Sequence, residues 1–266
     1  MTPGTRGRLI LVPNALDLGT PEGDLRDVLP EAVMRMAAGL GHWVVEDARS
    51  TRAFLKRVAV LHPLALPLQT LQIVEMPRPR KGAPPVAGDA ARRTPLQADQ
   101  AAWAALLAPA LAGHDVGVLS EAGLPGVADP GARLVDAAHR AGLEVCALPG
   151  PCSLVLALAA SGLQGQQFAF VGYLPQEPQA RARRIRELEA WSRKTDQTQL
   201  LIETPYRNQA VLQALLAHLA PTTRLSISLG LTLPGGFSRT ATVAQWRLQV
   251  PQLSDRMPAV FGLLGA

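Results

Sequence analysis

Apolar residues arrive along this chain in two rhythms. Short runs rich in apolar residues occupy Gly7–Val12, His42–Val45, Val116–Leu119, Leu143–Leu148, Phe168–Leu174, Thr198–Ile202, Leu225–Leu229, Thr240–Trp246 and Ala259–Leu264. Their length and their Gly or Pro borders are those of strands. Between them the apolar positions recur at helical spacing. Pro30 opens one helix running to about Ala38, and the segment Ala53–Val58 belongs to another. A third is predicted over Gln97–Ala112, with Trp103, Leu106, Leu107 and Leu111 on its buried face, and a fourth over Arg133–Ala141. Further helices follow Pro151, span Arg181–Lys194 with Ile185, Leu188 and Trp191 as the buried stripe, and span Asn208–Leu219. Strands alternating with helices predict an α/β fold. The short connections among the last strands predict antiparallel members there.

The stretch 115–163 organises this pattern. It reads strand, loop, helix, strand, loop, helix, and such a crossover places two parallel strands in one sheet. The first loop carries Gly123, Pro125, Gly126, Pro130 and Gly131; the second carries Pro149, Gly150 and Pro151. Both leave the carboxyl ends of their strands, where open α/β sheets bind ligands. Either loop alone reads as a tight turn, whereas two on one rim favour a ligand site.

Composition narrows the class. At 266 residues, 48% of them hydrophobic, the chain has room for two α/β domains. No apolar run reaches the length of a membrane span, and the N-terminus lacks the apolar core of a signal peptide. Two cysteines make neither a disulfide framework nor a zinc pattern, and the five histidines show no ligand spacing. The expectation is a cytoplasmic protein without a membrane segment or a structural metal. There is no Walker loop and no G-x-G-x-x-G fingerprint, which argues against an ATPase or a dehydrogenase. The net charge of +5 suggests a polyanionic partner such as RNA. Base is concentrated in a Pro/Gly-rich loop over 76–96 (Arg78, Arg80, Lys81, Arg92, Arg93) and in the helix 181–194. Each reads first as a solvated segment and second as a contact for RNA phosphates, the helix being the stronger candidate because it is an ordered element. The acids and arginines of 46–52 read as substrate-positioning groups or as a brace for a helix start.

Three motifs, SEAGLPGVADPG, PGPCSLVLALAASGL and FAFVGYLP, stand in the order and spacing of a known family. The chain resembles the tetrapyrrole-methylase superfamily of S-adenosylmethionine (SAM) methyltransferases, and within it ribosomal RNA small-subunit methyltransferase I and its relatives. The resemblance implies two α/β domains with a SAM-binding cleft between them: residues 1–149 with a parallel sheet and 150–266 with a mixed sheet. It implies SAM as cofactor, contacted by Pro13, Ser120, Glu121, Ala122, Gly123, Asp129, Cys152 and Ser153. Glu203 and Arg207 are candidates for substrate positioning or a structural ion pair, and no catalytic base is assigned. The implied activity is methylation of a ribose hydroxyl of small-subunit ribosomal RNA by a homodimer, with RNA or the ribosomal subunit as partner. A tetrapyrrole or other small-molecule methylase, or a SAM-binding protein without catalysis, are the alternatives. The chain departs from the family at VPNALDLG, where only the Pro stays in register, and at GLTLPGGFSR, which lacks the usual acid and Lys.

Overall fold

The computed structural model describes residues 6–17, 23–77 and 95–266. The five cations of the loop over 76–96 lie outside these residues. The chain divides into two compact units, Met1–Pro151 and Cys152–Ala266.

In chain order the first unit holds β1 (Leu9–Leu11), α1 (Glu31–Gly39), β2 (His42–Val45), α2 (Ala48–Leu61), β3 (Gln72–Glu75), α3 (Pro95–Ala105), α4 (Ala108–Leu111), β4 (Val116–Leu119), α5 (Gly131–Arg140) and β5 (Val145–Ala147). Its sheet has the order β3-β2-β4-β1-β5, and every pair is parallel. The crossover from β4 to β5 gives parallel strands in one sheet, with β1 inserted between them. One face buries Val33, Met34, Trp43, Phe54 and Leu55 under α1 and α2. The other buries Val44, Trp103, Val118, Leu134 and Ala138 under α3 and α5. The centre is tight: a Cβ on Gly117 would lie 2.6 Å from the Trp43 ring.

The second unit holds α6 (Ser153–Ser161), β6 (Phe168–Phe170), α7 (Pro178–Thr195), β7 (Thr198–Glu203), α8 (Asn208–His218), β8 (Arg224–Leu229), β9 (Phe237–Thr242), α9 (Val243–Leu248) and β10 (Ala259–Leu264). Its sheet has the order β6-β7-β10-β8-β9. β6 and β7 are parallel and the remaining pairs antiparallel. Ile185 and Leu188 of α7, Val211 and Leu215 of α8 and Trp246 of α9 pack on one face with Leu201 and Phe261. Leu154 and Leu158 of α6 cover Leu200 and Val260 on the other.

Four expectations need correction. The helix over 97–112 is two helices, because Pro109 has no N–H to continue the ladder and lies in the first turn of α4. Leu111 then faces solvent. The strand expected over Thr240–Trp246 ends at Thr242, whose side chain and Gln245 form a capping box that starts α9. Trp246 is carried into the core by that helix and donates its indole N–H to Leu225 O. The run Phe168–Leu174 is strand only to Phe170; Gly172, at φ 75°, turns the chain away. Trp191 is half exposed, and the buried stripe of α7 is Ala182, Ile185, Leu188, Glu189 and Ser192. The short strand β3 carries no clear apolar run, having a largely exposed edge position, and the sequence pattern did not reveal it.

Candidate functional site

Because the first sheet is all parallel, the loops after β1, β2, β4 and β5 leave one rim, and the structure interlocks them. Asn14, buried just beyond β1, forms an antiparallel bridge with Gly123 in the loop after β4. Its side-chain amide donates to Ser120 O (3.2 Å) and Glu121 O (2.9 Å), while its Oδ1 accepts from Ala15 N–H (2.9 Å). Glu46, just past β2, accepts the Glu121 N–H on Oε2 at 3.0 Å. Pro13 packs against Gly150 of the loop after β5 so closely that a Cβ on Gly150 would fall 2.3 Å from it. The rim thus brings together Pro13, Ser120, Glu121, Ala122, Gly123 and Asp129, all candidates from the sequence.

Their roles differ. Gly123 has φ 70°, a conformation that L side chains rarely adopt, and any Cβ there would press on Leu16 and approach Pro151 O. Ser120 is buried, and its hydroxyl donates to Ala122 O at 3.2 Å. Glu121 and Ala122 are exposed. Asp129 works on its own loop: its carboxylate accepts the N–H of Gly126 (2.8 Å) and of Gly131 (2.6 Å). Burial, foremost, pushes its pKa above the ordinary carboxylate value, against the lowering effect of those two donors, and the Glu46 charge pushes the same way as burial. Ala128 between them sits at φ 64°, a costly conformation for a residue with a Cβ.

Cys152 and Ser153 open the second unit. Cys152 is the N-cap of α6 without a side-chain cap hydrogen bond, and Ser153 is the first helical residue. Glu203 ends β7 with its side chain fully enclosed. Its Oε1 accepts from the Thr204 N–H (2.8 Å). Oε2 lies 3.2 Å from Arg207 Nη2, an ion pair whose alignment falls short of a hydrogen bond. Arg207 also donates to Leu174 O at 3.3 Å. In the structure the two form an ion pair. For residues 46–52, Asp47 caps α2 by accepting the Ser50 N–H at 2.6 Å, so that acid is a brace.

Sequence reasoning missed two tethers, Asn14 and Glu46. Asn14 was visible only as a turn residue after a strand, and Glu46 only as one acid among several. A hollow of about 750 Å³ opens at the opposite rim of the same sheet, beside His42, His114 and Asp115, and none of the candidate residues lines it. Among the described residues no group of three or more His, Cys, Asp or Glu could hold a metal, and no helix is long and apolar enough to cross a membrane.

Of the candidate side chains on this rim, the exposed Glu121 carboxylate can accept hydrogen bonds from a ligand's hydroxyls.

The family model described as Tetrapyrrole (Corrin/Porphyrin) Methylases matches residues 50–245. A protein of Synechocystis sp. (strain ATCC 27184 / PCC 6803 / Kazusa) named "Ribosomal RNA small subunit methyltransferase I" is 30% identical over 81% of this chain and 66% of its own length. A protein of the same name from Vibrio cholerae is 39% identical over 40% of this chain and 35% of its own length. The chain therefore spans between about a third and two thirds of these relatives. Among solved structures, the methyltransferase CobJ is similar over 98% of this chain and 95% of its own, with TM-score 0.55 and 18% identity. Uroporphyrin-III C-methyl transferase from Thermus thermophilus, complexed with S-adenyl homocysteine, is similar over 97% of each chain, with TM-score 0.51 and 20% identity. These two likenesses are of fold.

Proposed function

Because the chain belongs to the tetrapyrrole (corrin/porphyrin) methylases, we propose that it is a SAM-dependent methyltransferase whose acceptor is a ribose hydroxyl of small-subunit ribosomal RNA. The observation that carries the proposal is the meeting of three strand-end loops about Gly123 on one rim of a parallel sheet. Small-subunit ribosomal RNA as the acceptor is supported by the names of the relatives, and the ribose hydroxyl by the resemblance of the sequence motifs.

In this reading the first unit's rim holds the cofactor. When bound, SAM would supply a methyl group on a sulfonium, and methyl transfer asks the protein mainly for alignment and exclusion of water. The Ser120–Gly123 backbone would provide the close contact surface, with Glu121 toward the ribose. Asn14 and Glu46 hold that loop in place from the neighbouring strand ends. Asp129 keeps the following turn closed. The homodimer and the cytoplasmic setting expected from the sequence belong to the same proposal.

The test is transfer of labelled methyl from SAM into small ribosomal subunits purified from cells lacking this protein, together with a SAM titration. Label in ribose of the small-subunit RNA is expected. SAM binding without label in the RNA would overturn the acceptor. Absence of SAM binding by the folded protein would overturn the whole reading.

A further inference from the structure

The α7 helix was expected to bury Trp191. Instead Trp191 is 52% exposed, while the remaining tryptophans, Trp43, Trp103 and Trp246, are 1%, 3% and 2% exposed. An exposed indole is a large apolar surface left in water. Here it stands beside cations: the Lys194 ammonium lies over the ring, 5.9 Å from its centre, and Arg183, exposed three turns before Lys194, falls on the same helical face as that lysine. The exposed acid of α7, Glu187, is 3.5 Å from Arg184, so it does not cancel these charges.

We infer that the outer face of α7 is an RNA-binding surface, on which Trp191 stacks an unpaired base while Lys194 and Arg183 meet the flanking phosphates. The inference rests on the RNA reading above and extends it to a surface. Single-stranded nucleic acid is held by this combination of aromatic platforms and a cationic track. A protein partner would call for a wider apolar patch with depleted charge. Around Trp191 the helix offers Arg184, Glu187, Ala190 and Lys194, which is too polar for such a patch. Arg181, expected from the sequence to share the phosphate contacts, is not part of the surface. It is half buried, donates to Gln176 O at 3.4 Å, and its Nε is enclosed.

Trp191 reports on its own face, because a small quencher such as acrylamide reaches it and not the buried tryptophans. The experiment follows acrylamide quenching of the full chain with and without small-subunit ribosomal RNA freed of its proteins. RNA at saturation should abolish most of the quenching. Trp191→Ala should weaken RNA binding by roughly ten-fold or more, the loss of one stacked base. Trp191→Phe should retain most of the affinity, which separates stacking from a folding defect. Lys194→Gln should flatten the dependence of affinity on salt by about one counterion. If RNA binds and Trp191 stays open to acrylamide, or Trp191→Ala binds as wild type does, the surface inference falls while methylation of RNA stands. If wild type neither binds the RNA nor labels the subunit, both fall.

Discussion

Replacing Asn14 by Ala removes a pin between two strand ends that are far apart in the chain. The side chain makes three hydrogen bonds: two from its amide to Ser120 O and Glu121 O, and one from Ala15 N–H to its Oδ1. Asn14 is buried, and in the variant these partners lose that side chain inside the rim. At about 1 kcal/mol net for each hydrogen bond, with a further cost for groups left unsatisfied, the loss should be roughly 2–4 kcal/mol. In a unit of this size that lowers the melting temperature by roughly 4–16 °C. The backbone bridge between Asn14 and Gly123 does not need the side chain, so the fold should survive. Asn14→Asp is the sharper perturbation. It keeps an acceptor for Ala15 N–H but turns a carboxylate oxygen toward two carbonyl oxygens, so it should be at least as unstable as Asn14→Ala and worsen as the carboxyl ionises. Urea midpoints followed by circular dichroism give the stability, and titration calorimetry gives SAM affinity. The expected result is lower stability together with weaker SAM binding, since the Ser120–Gly123 loop loses its anchor. Wild-type stability and affinity in Asn14→Ala would refute the claim that this side chain shapes the rim.

Other outcomes follow from the same structure. Gly117→Ala would force a Cβ to within 2.6 Å of Trp43 and 2.9 Å of Leu40 in the first core, and overpacking of this kind costs about 1–3 kcal/mol, to be read from thermal unfolding. Arg207→Met should destabilise by about 3–5 kcal/mol, because it leaves the enclosed Glu203 carboxylate without its counter-charge. Adding Glu203→Gln should recover most of that loss, and additive losses in the double variant would show that the two groups are not coupled. Burial raises the Asp129 pKa in the folded state, so its contribution to stability is present below the ordinary carboxylate pKa and lost as pH rises through the folded value. Asp129→Asn should flatten that decline in a series of urea midpoints against pH. A slope identical to wild type would assign the titration to another group.

Much of the architecture was already present in local patterns. The runs at His42–Val45, Val116–Leu119 and Ala259–Leu264 are β2, β4 and β10 to the residue. A strand buried on both faces needs an unbroken apolar run, and that demand is local. The glycines of the rim were legible for the same reason: Gly123 and Gly126 sit at φ 70° and 85°, and a positive φ is a property of one residue's backbone. The family motifs lie on these local features, which is why the first candidate residues fall together on one rim.

What depended on distant partners was not legible. Trp191 and Trp246 both fall in segments that the pattern reads as regular elements, yet α7 turns one to water while the capping box at Thr242 delivers the other to the core. Periodicity predicts that a helix has a buried face, but the neighbouring elements decide where that face ends. The insertion of β1 between β4 and β5 depends on pairing across more than a hundred residues. Asn14 was an ordinary turn residue until the fold brought Ser120, Glu121 and Gly123 beside it. That Glu203 and Arg207 form an ion pair with the carboxylate enclosed is visible only once β7 and the turn after it are folded. A residue's type and spacing determine its conformational preference and its chemistry. Whether that chemistry faces a ligand, a loop or the core is decided by what the folded chain packs against it.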